Sequence, residues 1–236
     1  MAALVDAGVH ADAGVVCEPT GLAVMPAHKG FIWYELTFQG RAAHGSRPDV
    51  GVDAIRHAGR FLTELDRLDD ALRERPPHPL LGHGSVHAGT IAGGAALSIY
   101  PERCVLTLER RTLPAETAEA VRAELEEAVA RTAETVPDLD VTLVETLARP
   151  GTQVAGDHVL VQGLLQALAR QGRLPRLEGM TAWVDAAFLN EAGIPAVCFG
   201  PGSIAQAHGD DEWVEVGEIE ACVRVLADFA ADFLRA

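Results

Sequence analysis

The 236-residue chain is 48% apolar, enough to fill a sizeable core, and sets 19 basic against 34 acidic side chains for a net charge of −15. That charge repels phosphate backbones and anionic lipid, which excludes nucleic acid and membrane surfaces as partners, and no apolar run approaches the roughly 18 residues that span a bilayer. With no basic and then apolar leader, and with Cys17, Cys104, Cys198 and Cys222 scattered in apolar runs without a C-x-x-C pair, the composition predicts a globular cytoplasmic protein with reduced, buried thiols.

In chain order, Val15-Val16-Cys17-Glu18-Pro19-Thr20-Gly21 reads as a buried strand that delivers Glu18 to the rim of a sheet, where proline and glycine break it. Residues 31–38, rich in aromatic and β-branched side chains, predict a second strand ending at Gly40. Beyond Pro48-Asp49, the spacing of Val52, Ile55, Leu62, Leu65 and Leu68 predicts a helix with those residues on its inner face, ended by Arg75-Pro76-Pro77. Strands over 84–91 and 103–108 flank a turn at Gly93-Gly94, and a second helix carries Val121, Leu125, Ala128 and Val129 inward before a strand over 141–147. The order β-α-β-β-α-β is the split βαβ plan of a ferredoxin-like sandwich.

The flanks read differently. Residues 150–236 predict helices over 157–170 and 184–191, a strand over 195–199 and a helix over 219–234, which is α/β material. The predicted fold is therefore an α/β domain in two pieces, 1–28 and 149–236, around an inserted ferredoxin-like α+β unit over 29–148.

The strand over 195–199 leads into Phe199-Gly200-Pro201-Gly202 and then Gln206-Ala207-His208-Gly209-Asp210. Ligands of open α/β sheets collect outside the carboxyl ends of strands, so Glu18 and His208 are expected at one rim, a metal-site pattern that still lacks the third ligand of a catalytic zinc. Asp6, His10 and Asp12 lie on the short lead-in to the Glu18 strand and do not supply both a ligand pair and a base. His78, His83 and His87 read as solvent-facing. Ser46 beside His44 offers a Ser/His alternative, without an acid partner or a G-x-S-x-G elbow.

The stretches CEPTGL around Glu18, AHKGF, GRAAHGSRPDVGVDAI around His44, GTIAGGAALSIYPERC, LERRTLPAET around Arg111, WVDAAFLNEAGIPAVCFGPG and AHGDDEWV run the length of the chain in order. They resemble the acetylornithine deacetylase, succinyl-diaminopimelate desuccinylase and carboxypeptidase G family of zinc metallohydrolases, which implies that 1–28 and 149–236 are pieces of a zinc-peptidase-like α/β catalytic domain, incomplete, and that 29–148 is its ferredoxin-like lid and dimerisation domain. The resemblance implies an amide hydrolase acting on an N-acyl amino acid or short peptide through a zinc-activated water, with two zinc ions roughly 3.5 to 4 Å apart, cobalt being an alternative metal. It implies Glu18 and His208 as ligands of the two metals, and His44 as an oxyanion donor reaching the partner's site across a lid-mediated homodimer. Arg111 would grip the substrate carboxylate, with Ser98, Gly200 and Gly202 also facing substrate.

The sequence departs from the family pattern. The family carries a His-x-Asp pair, a bridging Asp and a Glu-Glu pair upstream of the motif around Glu18, and none of these is present. The chain thus reads as a truncated, C-terminal portion that alone takes up little or no zinc and hydrolyses negligibly, its missing N-terminal segment being a further partner. The alternative is a non-catalytic dimerisation or binding remnant that keeps Arg111. Ser98 stands where the resemblance leads one to expect Asn, and Val184 where a hydroxyl precedes Asp185, which bears on substrate choice.

Overall fold

The computed structural model describes residues 1–207 and 209–235. In chain order the elements are α1 (Ala2–Asp6), β1 (Gly14–Val16), β2 (Val24–His28), β3 (Gly30–Gln39), α2 (Ala54–Glu74), β4 (Ser85–Gly93), β5 (Arg103–Thr112) and α3 (Ala118–Thr135). There follow β6 (Asp140–Arg149), β7 (Thr152–Gln153), α4 (Val159–Arg170), β8 (Leu177–Met180), α5 (Ala186–Glu191), β9 (Ala196–Cys198), a 3-10 turn (Ile204–Gln206) and α6 (Val216–Phe233). They form two compact units: a split unit of Met1–Gly30, His78–Gly82 and Gly151–Ala236, and a nested unit of Phe31–Pro77 and His83–Pro150.

The nested unit is a four-stranded sheet in the order β4-β5-β3-β6, with β4/β5 and β3/β6 antiparallel. This is the ferredoxin-like order that the β-α-β-β-α-β sequence demands. Period-two alternation points Ile32, Tyr34, Leu36 and Phe38 of β3 and Cys104, Leu106 and Leu108 of β5 into one core with α2 and α3. Both helices start on a side-chain cap: Asp53 Oδ1 accepts from Arg56 N at 3.0 Å, and Thr117 Oγ1 from Ala120 N at 3.2 Å. Helix α2 stops before Pro76-Pro77, as the sequence predicts.

The inner face of α2 differs from the expectation in phase. Val52 lies before the helix and Ile55 is exposed, while Ala54, Ala58, Phe61, Leu65, Leu68 and Leu72 are buried. The two small alanines occupy the close approach at the helix start, and a pattern read from large apolar residues alone misses them. On β5, Arg110 is fully buried on the helix side. Its guanidinium binds Glu116 at 2.6 Å and Glu124 at 3.1 Å, and Arg75 closes the cluster on both acids.

The split unit has short strands in the order β1-β9-β2-β7, with β8 paired to β2. Helices α4 and α6 pack together over Leu160, Leu164, Leu168, Val225 and Phe229, against Val24 and Phe199 of the sheet. A directed polar chain crosses this unit. Asn190 Nδ2 donates to Thr152 Oγ1 at 2.8 Å, the hydroxyl donates to His28 Nε2 at 2.8 Å, and His28 Nδ1 donates to Lys29 O at 3.0 Å. His28 is 3% exposed, and burial holds its pKa below the ordinary imidazole range, in keeping with this neutral tautomer.

Helix α6 begins at Val216, three residues earlier than predicted, and exposes Val216, Ile219 and Val223 along one side. His78 is not solvent-facing as expected: its Nε2 meets Gln153 Oε1 at 2.9 Å and its Nδ1 accepts from Leu80 N and Leu81 N, both at 3.2 Å. Of the cysteines, Cys104, Cys198 and Cys222 are buried, and desolvation pushes Cys198 up to about 12 and Cys222 to about 11. Cys17 is exposed, against expectation, because it sits where β1 has already left the sheet. Among the described residues no helix is long and apolar enough to cross a membrane.

Candidate functional site

Strands β1 and β9 run parallel, with Gly14 opposite Ala196 and Val16 opposite Cys198, so both leave the sheet at the same edge. Glu18 follows β1 by two residues and Gly200 follows β9 by two, which sets both at the carboxyl rim where α/β sheets collect ligands. A Cβ on Gly200 would lie 2.4 Å from the Glu18 carbonyl oxygen, so the close approach of the two loops requires glycine there.

Thr20 locks that approach. Its hydroxyl, 4% exposed, donates to Gly200 O and accepts from Gly200 N, each at 3.1 Å. Gly21 N donates to Gly202 O at 2.6 Å and Leu22 N to Gly200 O at 2.9 Å. Gly21 and Leu22 have φ of 58° and 62°, and a leucine in the left-handed region is strained backbone of the kind that clusters at binding rims. Gly202, at φ 82°, turns its N–H onto Glu218 Oε2 at 2.7 Å.

Burial and, secondarily, the nearby Asp185 carboxylate push Glu18 above the ordinary carboxylate range. Asp185 sits at the start of α5 without making a side-chain cap. Val184, expected to bear on substrate, is instead 5% exposed and packed with Met180, Ala186 and Cys198. His208 lies outside the described residues. Among the described residues no three His, Cys, Asp or Glu side chains stand where they could share a metal ion, so these donors do not fit a complete zinc site, which takes three protein ligands and a water.

In the nested unit the structure brings His44 and Ser98 together. Gly45 N donates to Ser98 O at 2.7 Å, Tyr100 N to Ala43 O at 2.9 Å, and His44 pairs with Ile99 as an isolated bridge. Ser46 N donates to His44 Nδ1 at 3.2 Å, and Ser46 Oγ lies 2.8 Å from the same nitrogen. A backbone N–H can only donate, so the neutral ring carries its proton on Nε2, which has no partner among the described residues. The Ser46–His44 contact shapes the loop, since no carboxylate meets Nε2 to complete a triad.

Arg111 stands apart from His44, at the far end of β5, half-buried on the sheet face opposite the helices. Its Nε donates to Glu109 Oε1 at 2.6 Å, its guanidinium carbon lies 5.6 Å from the Phe31 ring centroid, and the other oxygen of Glu109 accepts from Trp33 Nε1 at 2.7 Å. One edge of the guanidinium is thus fixed, and no partner meets its terminal nitrogens among the described residues. Sequence reasoning missed Glu109 and Thr20. The alternation of β5 could have placed Glu109 beside Arg111, whereas nothing local marks a threonine whose partner is 180 positions away.

Residues 26–137 match the sequence pattern of a peptidase dimerisation domain. The chain is 33% identical over 238 residues to an acetylornithine deacetylase from Myxococcus xanthus, covering 98% of this chain and 60% of that protein. It is 30% identical over 229 residues to the acetylornithine deacetylase of Klebsiella pneumoniae, covering 94% and 57%. The chain therefore spans about 60% of the length of such relatives. Among solved structures, a tripeptidase from Staphylococcus aureus superposes with a TM-score of 0.76 at 18% identity, over 97% of this chain and 58% of that one. Aminopeptidase PepT from Bacillus cereus superposes with 0.74 at 22%, over 94% and 57%.

Proposed function

We propose that the chain, which matches a peptidase dimerisation domain over residues 26–137 and is similar to acetylornithine deacetylases along nearly its whole length, is a member of the acetylornithine deacetylase, succinyl-diaminopimelate desuccinylase and carboxypeptidase G family and serves hydrolysis of the amide bond of an N-acyl amino acid or short peptide. The observation that supports this reading best is His44, with Nδ1 occupied by Ser46 and Nε2–H left as an outward donor. Such a donor stabilises the oxyanion that forms when water adds to an amide carbonyl. Arg111, pinned through Nε, keeps its terminal nitrogens for a substrate carboxylate. Glu18 supplies a carboxylate at the rim of the split unit.

Zinc, in this reading, belongs to a site of which the described residues hold only part, and no step is routed through it. The chain alone is expected to bind near-zero zinc after loading and gel filtration, and to turn over N-acetyl amino acids negligibly. Two zinc ions per chain, lost in Glu18→Ala, would overturn that expectation. Substrate recognition is tested without metal: an N-acetyl amino acid should bind, with Arg111→Gln weakening it about tenfold or more. Equal binding by wild type and Arg111→Gln would remove Arg111 from the role.

We propose homodimerisation through the nested unit as well. Strand β4 has one neighbour, β5, and leaves its other edge with unpaired backbone groups that a second copy can satisfy across a two-fold axis. A purely monomeric species in sedimentation at tens of micromolar would sink this.

A further inference from the structure

A cavity of about 310 Å³ opens in the nested unit between the first turns of α2 and the segment that follows α3. Its walls include Asp53, Arg56, His57 and Arg60 on the α2 side and Asp138 after α3, with the Tyr100 ring. Arg56 and Arg60 are one helical turn apart and exposed, so both guanidinium groups reach the same opening. Neither has an acidic partner among the described residues, although the chain carries 34 acids and the later arginines of the same helix are paired, Arg67 with Glu64 and Arg73 with Asp69.

On the same helix lies a further unmet group. His57 Nδ1 is buried and has no hydrogen-bond partner among the described residues, which costs about 1 to 3 kcal/mol for a polar atom. Burial is the main cause that holds this imidazole below its ordinary pKa. Three N–H groups of the helix start are engaged within the unit: Ala54 N donates to Pro101 O at 3.0 Å, Arg56 N to Asp53 Oδ1 at 3.0 Å and His57 N to Asp53 O at 3.2 Å. The charged groups that line the cavity are side chains of α2 and of the segment after α3.

We propose that this cavity is a second small-molecule site, separate from the Arg111 and His44 positions, which takes the carboxylate or phosphate group of an anionic metabolite. The two guanidinium forks match the paired oxygens of either group, and the His57 imidazole lines the same opening. Asp53, whose Oδ1 already caps the helix through Arg56 N, and then Asp138 act electrostatically on His57, and both line the cavity, so a carboxylate pair shares it with the arginine pair. That pair favours ligands that also carry an N–H or ammonium group, and penalises bare polyanions. The volume admits a molecule the size of an amino acid or a sugar phosphate. Because the protein as a whole carries −15, diffuse attraction works against anions, and any binding must come from local groups.

The test is calorimetric titration of the full chain with inorganic phosphate, citrate and aspartate at low salt, with Arg56→Gln/Arg60→Gln and Arg173→Gln as variants and thermal melts as folding controls. Arg173 also lacks a partner among the described residues but lies outside this cavity, so it reports on bare surface charge. Saturable binding of one ligand per chain, weakened about tenfold or more in the double variant and unchanged in Arg173→Gln, is the expected result. Phosphate binding tighter than aspartate would assign the phosphate group, and the reverse the carboxylate. Absence of saturation by about 10 mM of all three, or equal weakening in both variants, would overturn the proposal.

Discussion

The two units solve the same problem, burying one face of a sheet, with different means. In the nested unit β3, β5 and β6 run 10 residues each and β4 runs 9, and two capped helices cover one face of the sheet. In the split unit the strands run 2 to 5 residues, and the unit is gathered from three stretches of chain. One of its helices leaves Val216, Ile219 and Val223 in solvent, at 67%, 41% and 62% exposure. The lesson is that recognisable site residues and structural self-sufficiency are distributed separately. The better-built unit holds His44 and Arg111, while the rim around Glu18 depends on a few long-range polar contacts and glycines.

The largest expected effect tests the nested unit. Arg110→Ala leaves Glu116 and Glu124 with only the more exposed Arg75 between them and should cost about 3 kcal/mol in urea unfolding, whereas neighbouring Arg111→Ala, partly exposed, should cost under about 1 kcal/mol. Equal costs would mean that the buried cluster is not what distinguishes the two positions. In the split unit, Thr20→Ala removes a buried hydroxyl used as both donor and acceptor, and should cost about 1 to 3 kcal/mol, read by hydrogen exchange at residues 20–24 and 196–202. Protection lost across the nested unit instead would erase the contrast between them.

Two acid-base effects of opposite sign come next, both in the split unit. His28 has a folded pKa below its unfolded value of 6.5, so the unfolded state binds more protons as pH falls below about 7. Its contribution is present above 6.5 and is lost on acidification, and His28→Gln should flatten that loss in a melting-temperature profile. Glu18 has a folded pKa raised above 4.5, so its ionisation in the fold is unfavourable, and stability contributed by the protonated form is lost as pH rises through the raised value. Glu18→Gln should therefore melt slightly higher than wild type at pH 7 and no higher near pH 4. The smallest effect is Val223→Ser, within about 0.5 kcal/mol on stability, with reduced self-association in light scattering if the α6 stripe is a contact face.

Much of this architecture was legible in the sequence, because the nested unit writes its pattern locally. Aromatic and β-branched runs gave β3, glycines the β4–β5 turn, and Pro76-Pro77 the end of α2. The phase of α2 was not, because Ala54 and Ala58 carry little hydrophobic signal although both are fully buried. Strands β2, β7 and β8 were missed because two to five residues give no periodicity to detect, and they exist through pairing with distant chain. Glu18, His44 and Arg111 stand as candidates through motif likeness alone. Their supports at Thr20 and Glu109 were invisible because a hydrogen bond between remote residues leaves no trace in spacing.

The threading of the chain through the split unit has a consequence for the order of assembly. Strand β1 must wait for β9, and Thr20 for Gly200, 180 positions later, so these contacts carry a large loop-closure cost and come late. The nested unit is complete once residue 150 has been made. During synthesis it can collapse on its own and shorten the effective distance between the flanking stretches. The segment His78–Gly82 then waits for β8, whose Gly179 approaches Leu80 and Leu81. A nascent chain halted between residues 150 and 196 would display a folded centre with an open Glu18 strand, the species most exposed to misassociation on the way to the finished molecule.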